Sequence, residues 1–144
     1  MPDNFFVTAE RMNDSAQVLH EGHHHHTACY LAGYVAECYL KLLVAKEPAI
    51  TTPITGRGGY SHGVRRMNGD LHHAISNGIA ISGLGGYLID LLLDCPNIYF
   101  DWDPSKRYDD SAAWDNQTTS DNFQSERKKC FEMIAKMYID NFIP

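Results

Sequence analysis

Apolar residues recur at helical spacing in several stretches of the chain, and strand-like alternation is sustained nowhere. From Val7 to Leu19 no Gly or Pro interrupts them, which predicts a first helix. The stretch from about His26 to Ala45 carries only two charges, Glu37 and Lys41, and predicts a central, mostly buried helix. A membrane span needs about 20 consecutive apolar residues. Because these two charges interrupt the run on one helical face, we expect no membrane span.

Proline and glycine residues mark residues 47 to 60 as a connecting loop, because Pro blocks helix propagation and Gly costs backbone entropy. A third helix follows, and Gly78 is expected to end it. Its predicted buried face consists of Val64, Met67, Leu71 and Ile75.

Two further helices are predicted in the second half of the chain. Residues 84 to 94 are strongly apolar and form a fourth helix closed off by Pro96, followed by a polar and aromatic loop from Asn97 to about Thr119. The last helix is predicted to start near Ser120 or Asp121, which are good N-cap residues. Its buried face is predicted to contain Phe123, Cys130, Ile134, Met137 and Ile139.

These elements predict an all-α fold in which about five helices pack antiparallel through short loops. The 144 residues are about the size of one domain, so we expect a single domain over residues 1–144. With 44% hydrophobic and 21% charged residues, the composition is that of a globular protein.

A formal net charge of -6 argues against broad electrostatic capture of nucleic acid, so any contact with RNA or a nucleotide must be local.

The amino terminus and the cysteines indicate a cytoplasmic protein. No basic start followed by an apolar run and a cleavage site is visible in the first residues. The four cysteines are widely spread and form no Cys-x-x-Cys pair, which argues against a zinc knuckle or a disulfide framework. We expect them to be reduced and mostly buried.

Three stretches resemble the HEPN domain family. His25 to Val44 resembles that family's second helix, an Ala-rich segment that ends in Glu, three residues and Lys, here Glu37 and Lys41. The segment SHGVRRMNGDLHHAI resembles the next helix, which opens with a histidine, here His62. Arg107 and Tyr108 resemble the Arg-Tyr found before the family's last helix.

The resemblance implies an up-and-down bundle of about five helices, often dimeric. It also implies one of several activities. HEPN proteins bind nucleotides or RNA, stand beside nucleotidyltransferases in toxin and antitoxin pairs, or cleave RNA without metal. The resemblance does not choose among these options.

The motif of the ribonuclease members is absent from this sequence. In those members an Arg and, four to six residues later, a His open the last long helix, where the His moves a proton and the Arg holds the phosphate. Arg107 is the matching position, but all eight histidines lie at or before His73. The sequence therefore favours a module that is not an enzyme.

A displaced version of that motif occurs in the third helix. Residues seven apart share a helix face, so Arg65 with His72, and Arg66 with His73, are candidates for holding and cleaving a phosphodiester. A solvated polar face explains all four residues equally, and we favour that interpretation.

The histidine run from His23 to His26 raises a metal hypothesis, because imidazole binds zinc, nickel and copper. Only Glu21 and Cys29 lie nearby in the sequence to complete a ligand set. We therefore expect no functional metal and no cofactor, and interpret the run as a solvated helix start.

Other polar segments are more simply explained by structure than by function. The loop TGRGGYSHG offers backbone amides and Arg57 to a phosphate, but it lacks the ending of a P-loop and is more simply a flexible connection. Arg107 and Tyr108 stand among aspartates and are predicted to anchor a loop. Trp102 and Trp114 either stack on a base or pack that loop down.

The leading hypothesis is a HEPN-like module that forms a homodimer and binds a nucleotide, RNA or a nucleotidyltransferase partner. The first alternative is a metal-independent ribonuclease that uses Arg65 or Arg66 with His72 or His73. The second alternative is a helical interaction module that binds no nucleotide.

Overall fold

The computed structural model describes residues 4–54, 59–80, 83–108 and 112–143, and of Arg107 only the backbone. The described residues form helices and contain no strand, which confirms the predicted all-α class. The antiparallel, up-and-down order of the bundle stays a prediction. The α-helices are α1 (Phe5–Glu21), α2 (His25–Lys46), α3 (Val64–Ser76), α4 (Leu91–Asp94), α5 (Pro96–Asp101) and α6 (Gln117–Ile139), and short 3₁₀ turns span Leu84–Gly86 and Pro104–Tyr108.

Helix α2 lies at the centre and packs against α1, α3, α5 and α6. It is also long and apolar enough to cross a membrane by length and composition, but 72% of its most apolar window is buried inside the fold. Burial of that kind is the property of a core helix, so its apolar character is accounted for by the neighbouring helices.

The first three helices begin and end close to the predicted positions. The apolar residues of α2 are largely buried, but Val7 of α1 is 49% exposed, and on α3 Ile75 is exposed and Ala74 is buried instead. Ile75 lies in the last turn of α3, which ends one residue later. Gly78 adopts a left-handed φ of 67° just after the helix, consistent with a helix end at this point.

The single helix predicted over residues 84 to 94 is wrong. A 3₁₀ turn is followed by non-helical residues, and α4 begins only at Leu91. Side chains from α2 and α3 bind backbone groups in this stretch and at the start of α4. The Tyr39 hydroxyl accepts from the Ile89 amide at 2.9 Å, and the Asn68 side chain accepts from the Leu91 amide at 3.1 Å. Because these partners replace helical hydrogen bonds, the helix is interrupted here.

Helix α4 ends at Asp94, shortly before Pro96 as predicted, but Pro96 also begins a further helix, α5. A proline fits the first turn of a helix because the missing N–H has no partner there. The buried Glu126 of α6 accepts from the amides of Asn97 (3.2 Å) and Ile98 (2.8 Å), so α6 caps α5. The predicted loop from Asn97 to Thr119 therefore contains a helix and a 3₁₀ turn.

Helix α6 begins earlier than predicted, because its cap is Asn116, whose side chain accepts from the Thr119 amide at 2.8 Å. Ser120, predicted as a cap, is instead buried within the helix. Ile139, the last residue of the helix, is 75% exposed and does not belong to the buried face. The remaining predicted core residues of α6 are buried, namely Phe123, Cys130, Ile134 and Met137.

Gly33 lets Trp102 pack directly on the backbone of α2. A Cβ atom at this position would lie 2.0–2.2 Å from atoms of the Trp102 ring. A Cβ atom added to Gly69 of α3, in contrast, would have no neighbouring atom within 4 Å.

Gly33→Ala is therefore expected to destabilise the fold by about 1–3 kcal/mol, the usual range for overpacking a core. The matched control Gly69→Ala should raise stability by about 0.5–1 kcal/mol, because Ala replaces Gly inside an exposed helix. Urea denaturation followed by circular dichroism measures both changes. Equal midpoints for the two variants would contradict the packing of Trp102 on α2.

Candidate functional site

Glu37 and Lys41 form an ion pair one turn apart on α2, with Lys41 Nζ 3.6 Å from Glu37 Oε1. Their side chains are only 5% and 7% exposed, respectively. The ammonium also lies 5.5 Å from the ring centroid of Phe5 in α1. The buried pair predicted from the sequence is therefore present.

His62 completes this pair from the turn before α3. Its Nδ1 lies 2.7 Å from Glu37 Oε1, and its side chain is 46% exposed. Burial raises the pKa of Glu37 above its ordinary value, and the charges and hydrogen bonds of Lys41 and His62 oppose that rise. The result is a buried carboxylate that orients an accessible imidazole.

An aromatic wall borders the imidazole. The ring centroid of Tyr34 lies 5.9 Å from that of His62 and 5.0 Å from that of Trp102. The hydroxyls of Tyr30 and Tyr34 are 3.0 Å apart, and Trp102 Nε1 donates to the Tyr30 carbonyl at 2.9 Å. Since Trp102 and Trp114 are both only 4% exposed, they pack the loop down.

Asp103, which follows Trp102, and Arg65, at the start of α3, carry opposite charges. The pKa of Asp103 is lowered first by hydrogen bonds from Ser105, and then by the positive charges of His62 and Arg65. Arg65 is exposed at the start of α3. His62 and Arg65 are therefore both exposed, and the charges of both lower the pKa of Asp103.

A groove of about 590 Å³ adjoins the cluster between α1 and α2. Tyr34 belongs to both, because it lines the groove and contacts His62. The described lining residues are Met12, His26, Thr27, Tyr30, Leu31 and Tyr34. The groove is thus partly aromatic, with polar groups at its rim.

Three of the four residues of the displaced Arg and His motif contact separate partners. His72 Nε2 lies 3.4 Å from the Ile89 carbonyl, and His73 is bonded to Asn77. The Arg66 guanidinium lies 5.4 Å from the Tyr60 ring centroid. These contacts are those of a polar helix surface.

Arg107 and Tyr108 lie in the 3₁₀ turn that packs on α2. The Arg107 side chain, Asp109 and Asp110 lie outside the described residues, as does Arg57 of the glycine-rich loop. Tyr108 is 84% exposed. The turn is attached to α2 by His26, whose Nε2 is 2.7 Å from the Lys106 carbonyl.

The approach of Asp103 to the cluster and the groove beside Tyr34 were not predicted. Both depend on contacts between residues far apart in the sequence, which local periodicity does not report. The four-residue spacing of Tyr30 and Tyr34 indicated a shared helix face, but not which segment would cover it.

The chain matches no protein-family model, no curated protein and no solved structure. The class supported by the fold is therefore that of an all-α helical domain.

Glu37→Ala is expected to destabilise the fold by about 3–5 kcal/mol, because it leaves the Lys41 charge buried without its partner. Glu10→Ala, at an exposed position of α1, should change stability by less than about 0.5 kcal/mol. Chemical denaturation of the two variants tests the difference. An unchanged midpoint for Glu37→Ala would show that the pair contributes nothing to stability.

Proposed function

We propose that this chain is a HEPN-like helical module that binds the phosphate of a nucleotide or RNA at His62 and Arg65. The proposal rests on the resemblance of its helices to that family and on one observation. A half-exposed imidazole is held by the buried Glu37, and the exposed Arg65 follows three residues later at the start of α3. Both groups donate hydrogen bonds to phosphate oxygens, and charge-assisted bonds of this kind are the strong ones.

The buried pair is suited to orient His62 for this role. Because Glu37 Oε1 accepts from Nδ1, the second ring nitrogen, Nε2, is directed away from the carboxylate. An imidazole fixed in this way loses less side-chain entropy on binding than a freely rotating one. The overall charge of -6 then confines phosphate binding to this cluster.

The tyrosines beside His62 supply a surface for a base. Stacking of a base on an aromatic side chain is worth about 1–3 kcal/mol and is tolerant of sequence. Tyr30 and Tyr34 are partly exposed along the groove. A nucleotide with its phosphate at His62 would have these rings within reach.

Binding without cleavage is the activity we favour. The sequence offers no His after Arg107. In the alternative site, Arg65 and His72 are separated by nearly two helical turns, about 10 Å along the axis. His72 contacts the Ile89 carbonyl and not Arg65, so no structural observation favours the ribonuclease alternative.

His62→Ala and Arg65→Ala are each expected to weaken binding of a nucleoside triphosphate or a short single-stranded RNA at least about tenfold, since hydrogen bonds to charged groups are worth about 1.5–3 kcal/mol. Each ligand is titrated separately, by calorimetry and by tryptophan fluorescence, which Trp102 makes sensitive to this cluster. His73→Ala, an exposed histidine elsewhere on α3, should bind as the unmodified protein does. Binding that survives both site variants would refute the proposed site.

The same proposal includes a homodimer, formed through the apolar surface of α4 and α5, and a possible nucleotidyltransferase partner implied by the resemblance. Leu93 is 75% exposed, Phe100 57% and Leu92 41%. Exposed apolar side chains that neighbour one another in the chain are suited to association with a second copy.

Light scattering is expected to give a dimer mass at high micromolar concentration and a monomer mass for Leu93→Glu. A buried charge at the interface disfavours association because it loses its hydration. Val18→Glu, at a 68% exposed position of α1, is the matched control and should remain dimeric. A monomer mass for the unmodified protein would contradict this interface.

A further inference from the structure

The contact between Glu37 and His62 fixes where the imidazole carries its hydrogen. Glu37 Oε1 lies 2.7 Å from Nδ1 of His62 and 3.6 Å from Nζ of Lys41. An ammonium has only hydrogens to offer, so this oxygen is the acceptor toward both neighbours. Nδ1 of His62 therefore carries a hydrogen in this arrangement.

That hydrogen decides what the other ring nitrogen can do. A neutral imidazole has a single N–H, so with the hydrogen on Nδ1 its Nε2 is an acceptor. A phosphate oxygen is also an acceptor, and a lone pair at Nε2 repels it. Only the imidazolium has hydrogens on both nitrogens, so only the charged ring can donate to Glu37 and to a phosphate at the same time.

The surroundings of His62 leave the imidazole as the group that titrates. The titratable groups around it and around the carboxylates that act on it come from three parts of the described chain, namely Glu37, Lys41 and Tyr34 of α2, Arg65 of α3 and Asp103 of the loop after α5. Hydrogen bonds within its own turn, followed by the charges of His62 and Arg65, lower the pKa of Asp103, so that carboxylate stays ionised at neutral pH. Imidazole is the one side-chain type in this set whose ordinary titration falls between about pH 5 and 8.

We propose that a phosphate binds at His62 only when the ring is an imidazolium, so that binding takes up a proton. This inference rests on the proposed phosphate site and adds its regulation by pH. Because the charged form is the one that binds, affinity is greatest below the titration of the imidazole and is lost as the pH rises through it. A histidine without the Glu37 contact differs, because its neutral ring can carry the hydrogen on Nε2 and still donate.

Calorimetric titration of the full chain with a four-nucleotide oligoadenylate, between pH 6 and 8.5, tests this coupling. The probe lacks a terminal phosphate, since a phosphate monoester titrates near pH 6 and would obscure the result. Titrations in two buffers of different ionisation enthalpy count the protons taken up. We expect about 0.5–1 proton per bound ligand near pH 7.5, and an affinity that falls at least about threefold per pH unit above pH 7.

His62→Gln separates the donor from the charge, because a glutamine amide donates at every pH and never ionises. The His62 side chain is 46% exposed, so we expect this variant to fold, which circular dichroism checks. Its affinity should not change with pH. At pH 6 the unmodified protein should bind at least about threefold more tightly than His62→Gln, because charge-assisted bonds are stronger. At pH 8.5 the order should reverse, because the neutral ring of the unmodified protein presents a lone pair to the phosphate.

His73→Gln is the matched control, because His73 is an exposed histidine elsewhere on α3, and it should keep the full pH dependence. Binding without proton uptake would overturn this inference alone and leave the phosphate site standing. The same holds if the unmodified protein still binds at least as tightly as His62→Gln at pH 8.5, or if the pH dependence persists in that variant. Absence of binding at every pH would overturn the proposed site together with its regulation.

Discussion

The burial of two opposite charges in the central helix is the constraint on which the candidate site depends. Neither Glu37 nor Lys41 is stable alone in that environment, since a single buried charge loses its hydration without compensation. Each therefore requires partners from outside α2. His62 reaches Glu37 from the turn before α3, and Phe5 covers Lys41 from α1. The pair thus contacts both α1 and the turn before α3 from the central helix.

Two further buried charges in α6 connect segments in the same way. Glu126 accepts from two amides at the start of α5. Arg127, next in the sequence, is 2% exposed and donates to Asn13 and Gln17 of α1, and to Gln124. Burial lowers the pKa of Arg127, and these bonds are to uncharged oxygens. Adjacent residues of α6 therefore attach it to helices on two sides.

Much of this arrangement could be predicted from local patterns, and the failures have a common cause. Periodicity found α2 and the core of α6, and the lone charges Glu37 and Lys41 predicted a buried pair. The helix over residues 84 to 94 failed because Tyr39 and Asn68, distant in sequence, bind the backbone there. The contact of His20 in α1 with Asp121 in α6 was invisible for the same reason. Local spacing predicts which face of a helix is buried, but not which segment covers it.

The proposed ligand site offers a reason for the Glu37 and Lys41 pair that stability alone does not. Replacing a buried ion pair by apolar residues of similar volume is often neutral or stabilising, although removing one partner is costly. Burial raises the pKa of Glu37 despite its two partners, so this environment disfavours the charged carboxylate more than water does. Stability alone therefore does not require the two charges. What the pair provides instead is an imidazole fixed at Nδ1 and 46% exposed, beside two tyrosines and a groove. That orientation would be lost with an apolar core, which is the physical reason to connect the pair with ligand binding.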